Sequence, residues 1–238
     1  MTGSVPEPRP AATVVLLRDR DGDLEVFMME RVLTMPFAPG MHVFPGGRLD
    51  PADLVAGAAL PDPGRIFARD ARRASSDEVE YRALVACALR ELVEESGVTV
   101  PLADLHLADH WITPEVEGRR FDTRFFVAPM PEEQQAVLTG TEAQSVCWIR
   151  PAHALDEHEG GRMPLLRPTS RVLEYLSQFS DSLAVIAAVQ ERPILPMLPR
   201  RIVADDGSVV WAMVNGRTGD LIEGDVEPPR FWELTGAR

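Results

Sequence analysis

Apolar and polar positions along the chain outline a succession of short strands broken by one long helix. The run Ala11-Ala12-Thr13-Val14-Val15-Leu16-Leu17 is apolar and partly β-branched and predicts a first strand. Asp21-Gly22-Asp23 predicts a turn, and Leu24–Met29 the return strand of a hairpin. Pro36, Pro39 and Gly40 mark an irregular loop, after which Met41–Phe44 predicts a short strand that delivers Pro45-Gly46-Gly47. Asp50-Pro51-Ala52-Asp53-Leu54 has the form of a capped helix start. Asp77–Ser96 predicts a longer helix, apolar at Val85-Ala86-Cys87-Ala88-Leu89 and stopped by Gly97. Trp111-Ile112-Thr113-Pro114 ends a strand and Phe121–Val127 forms the next. Glu132–Thr141 is expected as a loop or short helix, Ser145–Arg150 as a strand ended by Pro151, and Ala152–Asp156 as a helix start. Thr169–Gln178 and Leu183–Gln190 read as two helices. Beyond Pro193, short strand-like runs at Ile202–Ala204 and Val209–Val214 predict a tail with a hairpin, packed on the domain or on a second subunit.

The long helix carries the densest chemistry. Glu91, Glu94 and Glu95 stand at i, i+3 and i+4, so their carboxylates share one face. At ~4 Å and an effective dielectric near 20, each like-charge pair costs on the order of 4 kcal/mol. Full solvation relieves that, and so does a cation among the oxygens. Hard divalent ions favour such oxygens and bridge to substrate phosphates. Arg90 lies four residues before Glu94 and is placed to hold it. Gly46-Gly47 offers a glycine turn whose backbone can approach a ligand closely.

Composition narrows the alternatives. The 238 residues suffice for one large domain with additions, and 45% are hydrophobic. No apolar run approaches the ~18 residues that span a bilayer. Residues 1–10 are polar and proline-rich, which predicts a disordered lead rather than a signal peptide, and a cytoplasmic protein. The net charge of −13 argues against general nucleic-acid binding. All 24 basic residues are arginine, which excludes a Schiff-base or P-loop lysine. Cys87 and Cys147 are expected as small buried residues, and His106 and His110 in surface or cap roles.

Arg90-Glu91-Leu92-Val93-Glu94-Glu95-Ser96-Gly97-Val98 resembles the second half of the Nudix box, and Gly46-Gly47 with the acidic residues after it resembles the first half. After Gly47 and five intervening residues comes Asp53, where the family has glutamate. Then Leu54–Leu89, 36 residues, stand where seven are expected. A Nudix subgroup that includes the peroxisomal coenzyme A diphosphatases of animals is similar in carrying a long insertion there. The resemblance implies an α/β fold, a Nudix-type α/β/α sandwich around a mixed β-sheet. The domain would span 11–192, with an inserted lobe at about 54–80 and a C-terminal helical or hairpin extension over 193–238. The inserted lobe is either a tolerated surface loop or a wall or lid of the pocket.

The implied reaction is metal-dependent hydrolysis of a pyrophosphate bond in a nucleoside diphosphate derivative. Mg2+ or Mn2+ would sit on Glu91, Glu94 and Glu95, completed by the Gly46 or Gly47 carbonyl. Glu91 serves as ligand or general base, and Arg90 orients the carboxylates. Glu142, six residues before Trp148, lies where related enzymes place a further acid; it is a second base or a solvated loop charge. Arg31, Gly40 and Phe44-Pro45-Gly46-Gly47 match, at the same spacing, a motif of coenzyme A pyrophosphatases, with Val32 and Pro36 departing from it. The substrate expected is coenzyme A or an acyl-CoA; the alternatives are a NADH or ADP-ribose type nucleotide, or a nucleotide-sensing domain without hydrolysis. Asp122 and Arg124 share one face of a strand, and Arg120 joins them, while Phe121, Thr123 and Phe125 take the other. The arginines are either a cross-strand salt-bridge set or, with Arg31, a guanidinium fork for substrate phosphates.

Overall fold

The computed structural model describes residues 5–35, 37–61, 70, 76–203 and 207–223. Pro36, most of the inserted lobe from 62 to 75, and the tail after 223 lie outside them. The strands are β1 (Arg9–Arg20), β2 (Asp23–Arg31), β3 (His42–Val43), β4 (Gly46–Arg48), β5 (His106–Ile112), β6 (Phe121–Pro129), β7 (Ala143–Ile149), β8 (Met197–Val203), β9 (Val209–Asn215) and β10 (Leu221–Glu223). The helices are α1 (Pro51–Ala59), α2 (Glu78–Ser96), α3 (Pro151–Glu159), α4 (Arg167–Leu176) and α5 (Ser182–Glu191). The described strands form one mixed sheet in the order β10-β9-β8-β5-β6-β1-β2-β3, with β4 paired to β1 and β7 to β2.

β1 is the axis of this sheet. It runs parallel to β6 from Arg9↔Phe121 to Leu17↔Pro129 and antiparallel to β2 and β4. Its apolar run is nearly unbroken because both faces are buried. Ala12, Val14 and Leu16 join Leu84, Leu92 and Phe126 in a core under α2, while Val15 and Leu17 join Phe125, Leu173 and Val185 in a core under α4 and α5. The hairpin turn has positive φ at both Asp21 and Gly22, the geometry that a tight two-residue hairpin demands. Arg9 and Pro10 belong to β1, so the expectation of a disordered lead over 1–10 does not hold for them: pairing with β6 fixes them.

One further expectation changes. Gly46-Gly47 is a strand rather than a turn, paired with Thr13 and Ala12 of β1. The C-terminal segment forms the expected hairpin, β8 antiparallel to β9 from Met197↔Asn215 to Val203↔Val209, and packs on the domain as part of its sheet, because β8 pairs parallel with β5 at Trp111↔Met197. α2 matches its expected bounds. Asp77 caps its first turn by accepting from the Glu80 N–H at 2.8 Å, and Gly97 ends it at φ +70, a conformation costly for any residue with a Cβ. The described part of the insertion packs on α2: a Cβ on Gly57 would lie 2.6 Å from the Arg82 backbone, and Arg82 Nη1 donates to the Leu60 carbonyl at 2.9 Å. No described helix is long and apolar enough to cross a membrane.

Candidate active site

The site forms where the last two turns of α2 meet β4. Contact is close enough that only glycine fits. A Cβ on Gly47 would stand 2.2 Å from Glu91 Oε1, and one on Gly46 would stand 2.5 Å from the Ala12 carbonyl oxygen. Neither glycine takes a positive φ, so proximity and not backbone freedom selects them. The Gly46 N–H donates to Glu95 Oε2 at 2.7 Å, which fixes the buried Glu95 carboxylate against the strand.

Arg90 organises the rest. Its Nε and Nη2 each donate at 2.9 Å to the two oxygens of Asp53, a fork that matches carboxylate geometry. Its Nη1 donates to Glu91 at 2.8 Å and to Glu94 at 2.9 Å. Asp53 is 2% exposed and also accepts from the Asp50 N–H at 2.8 Å, so it closes the first turn of α1 while it anchors Arg90. Burial pushes the Asp53 carboxyl up, but the Arg90 bonds and charge outweigh it and leave the group below its usual range. From across the site, Glu142 accepts from Arg31 Nη2 at 3.1 Å.

Glu95 is the least comfortable carboxylate. Burial first, and then the charge of Glu91, raise it to about 7, against the pull of the Gly46 N–H. Glu91 is also raised, by burial first, with Glu94 and Glu142 adding repulsion against Arg90. Four carboxylates thus act on one another in a small space. As the side chains stand, no three described His, Cys, Asp or Glu residues converge on one point at ligand distance. Glu94 is turned toward Arg90 instead. The donor set still fits a hard divalent ion, because such an ion offsets both the burial and the mutual repulsion that raise Glu91 and Glu95. The Gly47 carbonyl accepts from Cys87 Sγ at 3.7 Å, which leaves Gly46 as the better backbone ligand of the two.

The glutamates open on a cavity of about 660 Å3. Arg31, Phe44, Gly46, Gly47, Arg90, Glu91, Glu94 and Glu142 all line it, and Glu95 sits just behind through Gly46. The described part of the insertion beyond Asp50 contributes no lining residue.

Arg120 and Arg124 do not join this group. Arg124 is fully buried, pairs with Asp122 and donates to Ser76 at 2.6 Å. Arg120 is 7% exposed and donates to the carbonyls of Thr113 at 2.9 Å and Pro6 at 2.8 Å. Of the two alternatives, the salt-bridge set holds for Asp122 and Arg124. His110 is buried beside them and bonds to Asp122, so it is neither a surface nor a cap residue. The cavity instead receives Phe121, Thr123 and Phe125 from the opposite face of β6, with Arg9, Arg119 and Trp111. Strand alternation separated these two sets in advance; which set faced the ligand needed the position of α2.

A glutamate-bearing helix locked to a two-glycine strand beside a mixed sheet is the arrangement that the Nudix resemblance implies, and the chain is similar in sequence and in fold to Nudix hydrolases. It is 28% identical over 184 residues to the Caenorhabditis elegans protein carried under the name nudix hydrolase 7, covering 73% of this chain and 62% of that one. It is 20% identical over 256 residues to the acyl-coenzyme A diphosphatase NUDT19 of Xenopus laevis, covering 75% of this chain and 66% of that one. The chain therefore spans a little under two thirds of the curated relatives it matches. Among solved structures, a NUDIX hydrolase from Alicyclobacillus acidocaldarius superposes with a TM-score of 0.62 at 26% identity, covering 77% of this chain and 97% of that one. No family model matches the sequence.

Proposed function

We propose that the chain is a divalent-metal-dependent pyrophosphohydrolase that splits the diphosphate of a nucleoside diphosphate derivative, with coenzyme A or an acyl-CoA as the favoured substrate. The observation that carries this reading is the placement of Glu91 and Glu95 against Gly46-Gly47, at the mouth of a cavity that also holds Arg31 and Arg90. Glu91, Glu94 and Glu95, with the Gly46 carbonyl, would hold Mg2+ or Mn2+. When bound, the ion neutralises the diphosphate and acidifies an attacking water. Arg90 orients the glutamates from its anchor on Asp53. Arg31 stands ready to contact a phosphate oxygen, in exchange for Glu142. Release from Arg31 leaves Glu142 free to accept a proton from water, and Glu91, with its raised proton affinity, is the other candidate base.

The substrate preference rests on the Arg31, Gly40 and Phe44–Gly47 spacing and on the likeness to an acyl-coenzyme A diphosphatase. The test is a panel of coenzyme A, an acyl-CoA, NADH and ADP-ribose with Mg2+, read by monophosphate products. Glu94→Gln and Glu95→Gln are each expected to lower turnover at least about a hundredfold with an unchanged circular-dichroism spectrum. Metal-dependent turnover that survives both changes removes the chemistry from α2.

A further inference from the structure

The cavity floor is one face of the sheet, and the strand registers lay it out in rows. Trp111 on β5 stands opposite Thr123 on β6, Thr123 beside Ala11 on β1, and Ala11 opposite Arg48 on β4. The next row, in the same order, is Asp109, Phe125, Thr13 and Gly46. Gly46 is the corner that meets the glutamates, and β5 lies three strands away, about 14 Å at the usual strand spacing. Trp111 therefore stands in the part of the cavity remote from the acids.

Trp111 reaches this face only through an irregularity in β5. Leu107 pairs with Phe126 in the core under α2, but the register shifts between Leu107 and Asp109. Continued without that shift, the pairing would set Asp109 opposite Arg124 and Trp111 opposite Asp122, on the face that α2 covers. The extra residue turns both to the cavity side. A hydrogen bond then fixes the ring. The Trp111 indole N–H donates to Asp109 Oδ2 at 3.1 Å, and the His110 N–H donates to Asp109 Oδ1 at 2.9 Å. Asp109 is 7% exposed and does not itself line the cavity, whereas Trp111 does. Arg192, just after α5, stands 3.4 Å from Asp109 Oδ1, with its guanidinium 4.3 Å from the centre of the Tyr175 ring of α4. A buried carboxylate is costly unless it is paired, and here its partners are the indole and the elements behind it. With its N–H spent on Asp109, Trp111 offers the cavity carbon alone. Phe121 and Phe125 do the same from β6. Three aromatic side chains on one floor, none with a hydrogen bond to give, suit a flat ring packed against them.

We propose that Asp109 is a positioning residue, holding Trp111 as the specificity-determining contact for the nucleobase of the substrate. The inference deepens the hydrolase reading and rests on it for the identity of the cavity as the substrate site. It also orients the substrate, with the diphosphate at the Gly46 corner and the base on the β5–β6 side, held by packing.

The experiment is calorimetric binding of AMP and of ribose 5-phosphate to the full chain with Mg2+. Neither probe carries a diphosphate, so turnover does not enter, and the ratio of the two affinities reports the base. AMP is expected to bind about tenfold more tightly. Trp111→Leu should abolish most of that preference. Asp109→Asn keeps the shape of the side chain but offers one oxygen to two N–H groups, and should reduce the preference about threefold or more. Ribose 5-phosphate affinity should not change in either. In a Trp111→Phe chain, which has a ring but no N–H to hold, Asp109→Asn should alter the ratio no further. The indole N–H resonance of Trp111, assigned by its loss in Trp111→Phe, reads the bond directly and should move in Asp109→Asn. Equal affinity for the two probes in the unaltered chain, or a preference untouched by Trp111→Leu, refutes the base contact. An unmoved resonance, or an Asp109→Asn effect that persists in the Trp111→Phe chain, refutes the positioning role. A preserved preference in a chain that hydrolyses none of the nucleotide panel would refute the hydrolase reading alone.

Discussion

Two adjacent glycines should fail in different ways when each is given a methyl group. A Cβ on Gly46 would lie 2.5 Å from the Ala12 carbonyl oxygen and 2.7 Å from the Thr13 Cα. Both are backbone atoms of the central strand, far inside the roughly 3.5 Å at which non-bonded atoms meet. Neither atom can rotate away, so β4 must lift from β1 and withdraw its N–H from Glu95. Overpacking of this kind costs about 2–3 kcal/mol, or a fall in melting temperature of about 4–12 °C for a chain of this size. A Cβ on Gly47 meets Glu91 first, at 2.2 Å from Oε1 and 2.5 Å from Cδ. That carboxylate is the end of a flexible side chain and can swing aside. Its loss of the Arg90 hydrogen bond costs about 1 kcal/mol, offset in part by the stiffer unfolded chain that alanine gives. Gly47→Ala should therefore melt within about 3 °C of the unaltered protein, yet bind Mn2+ at least about tenfold more weakly and turn over correspondingly less. Differential scanning fluorimetry and a Mn2+ titration followed by electron paramagnetic resonance read the two effects separately. Equal destabilisation by both substitutions, or undiminished Mn2+ binding in Gly47→Ala, refutes the claim that this glycine exists to admit Glu91.

Asp53→Ala removes the two-pronged acceptor of Arg90 and leaves the guanidinium facing a hole. Urea denaturation should show a loss of about 3 kcal/mol, and a loss below about 1 kcal/mol would mean that Arg90 is held by its glutamates alone. His110 is held down to about 4 by burial, with Asp122 pulling the other way. An unfolded chain protonates this residue near pH 6.5 and the folded chain only near 4, so stability is lost as pH falls through that window, by about 3 kcal/mol in all. An imidazole titration by nuclear magnetic resonance should give a midpoint below about 5, and a midpoint near 6.5 contradicts the buried neutral ring.

Much of the frame was legible because single residues carry strong local rules. Asp21-Gly22 fixed the first hairpin, Asp77 and Gly97 bracketed α2, and the i, i+3, i+4 spacing put the three glutamates on one side of it. The capped start at Asp50–Asp53 was legible too, but its second duty was not, since only tertiary packing brings Asp53 against Arg90 thirty-seven residues later. The role of Gly46-Gly47 was hidden for a similar reason. Sequence suggests a glycine for its backbone freedom, whereas here the missing Cβ makes room for a side chain from another element. The C-terminal strands were visible as short runs, but their pairing with β5 depends on the register Trp111↔Met197, which no local signal encodes.

The misplaced arginines follow from the same limit and suggest a sharper rule. Alternation along β6 grouped Arg120, Asp122 and Arg124 correctly and set Phe121, Thr123 and Phe125 against them. It could not say which group met the substrate, because that depends on the face α2 covers. α2 lies over the even-numbered face, where Tyr81 packs on Phe126 with ring centres 6.1 Å apart. A charged set on a covered face must neutralise itself, and Arg124 does so through the aspartate two residues before it. An arginine with an acid at i−2 on one strand face already has its counter-ion within reach.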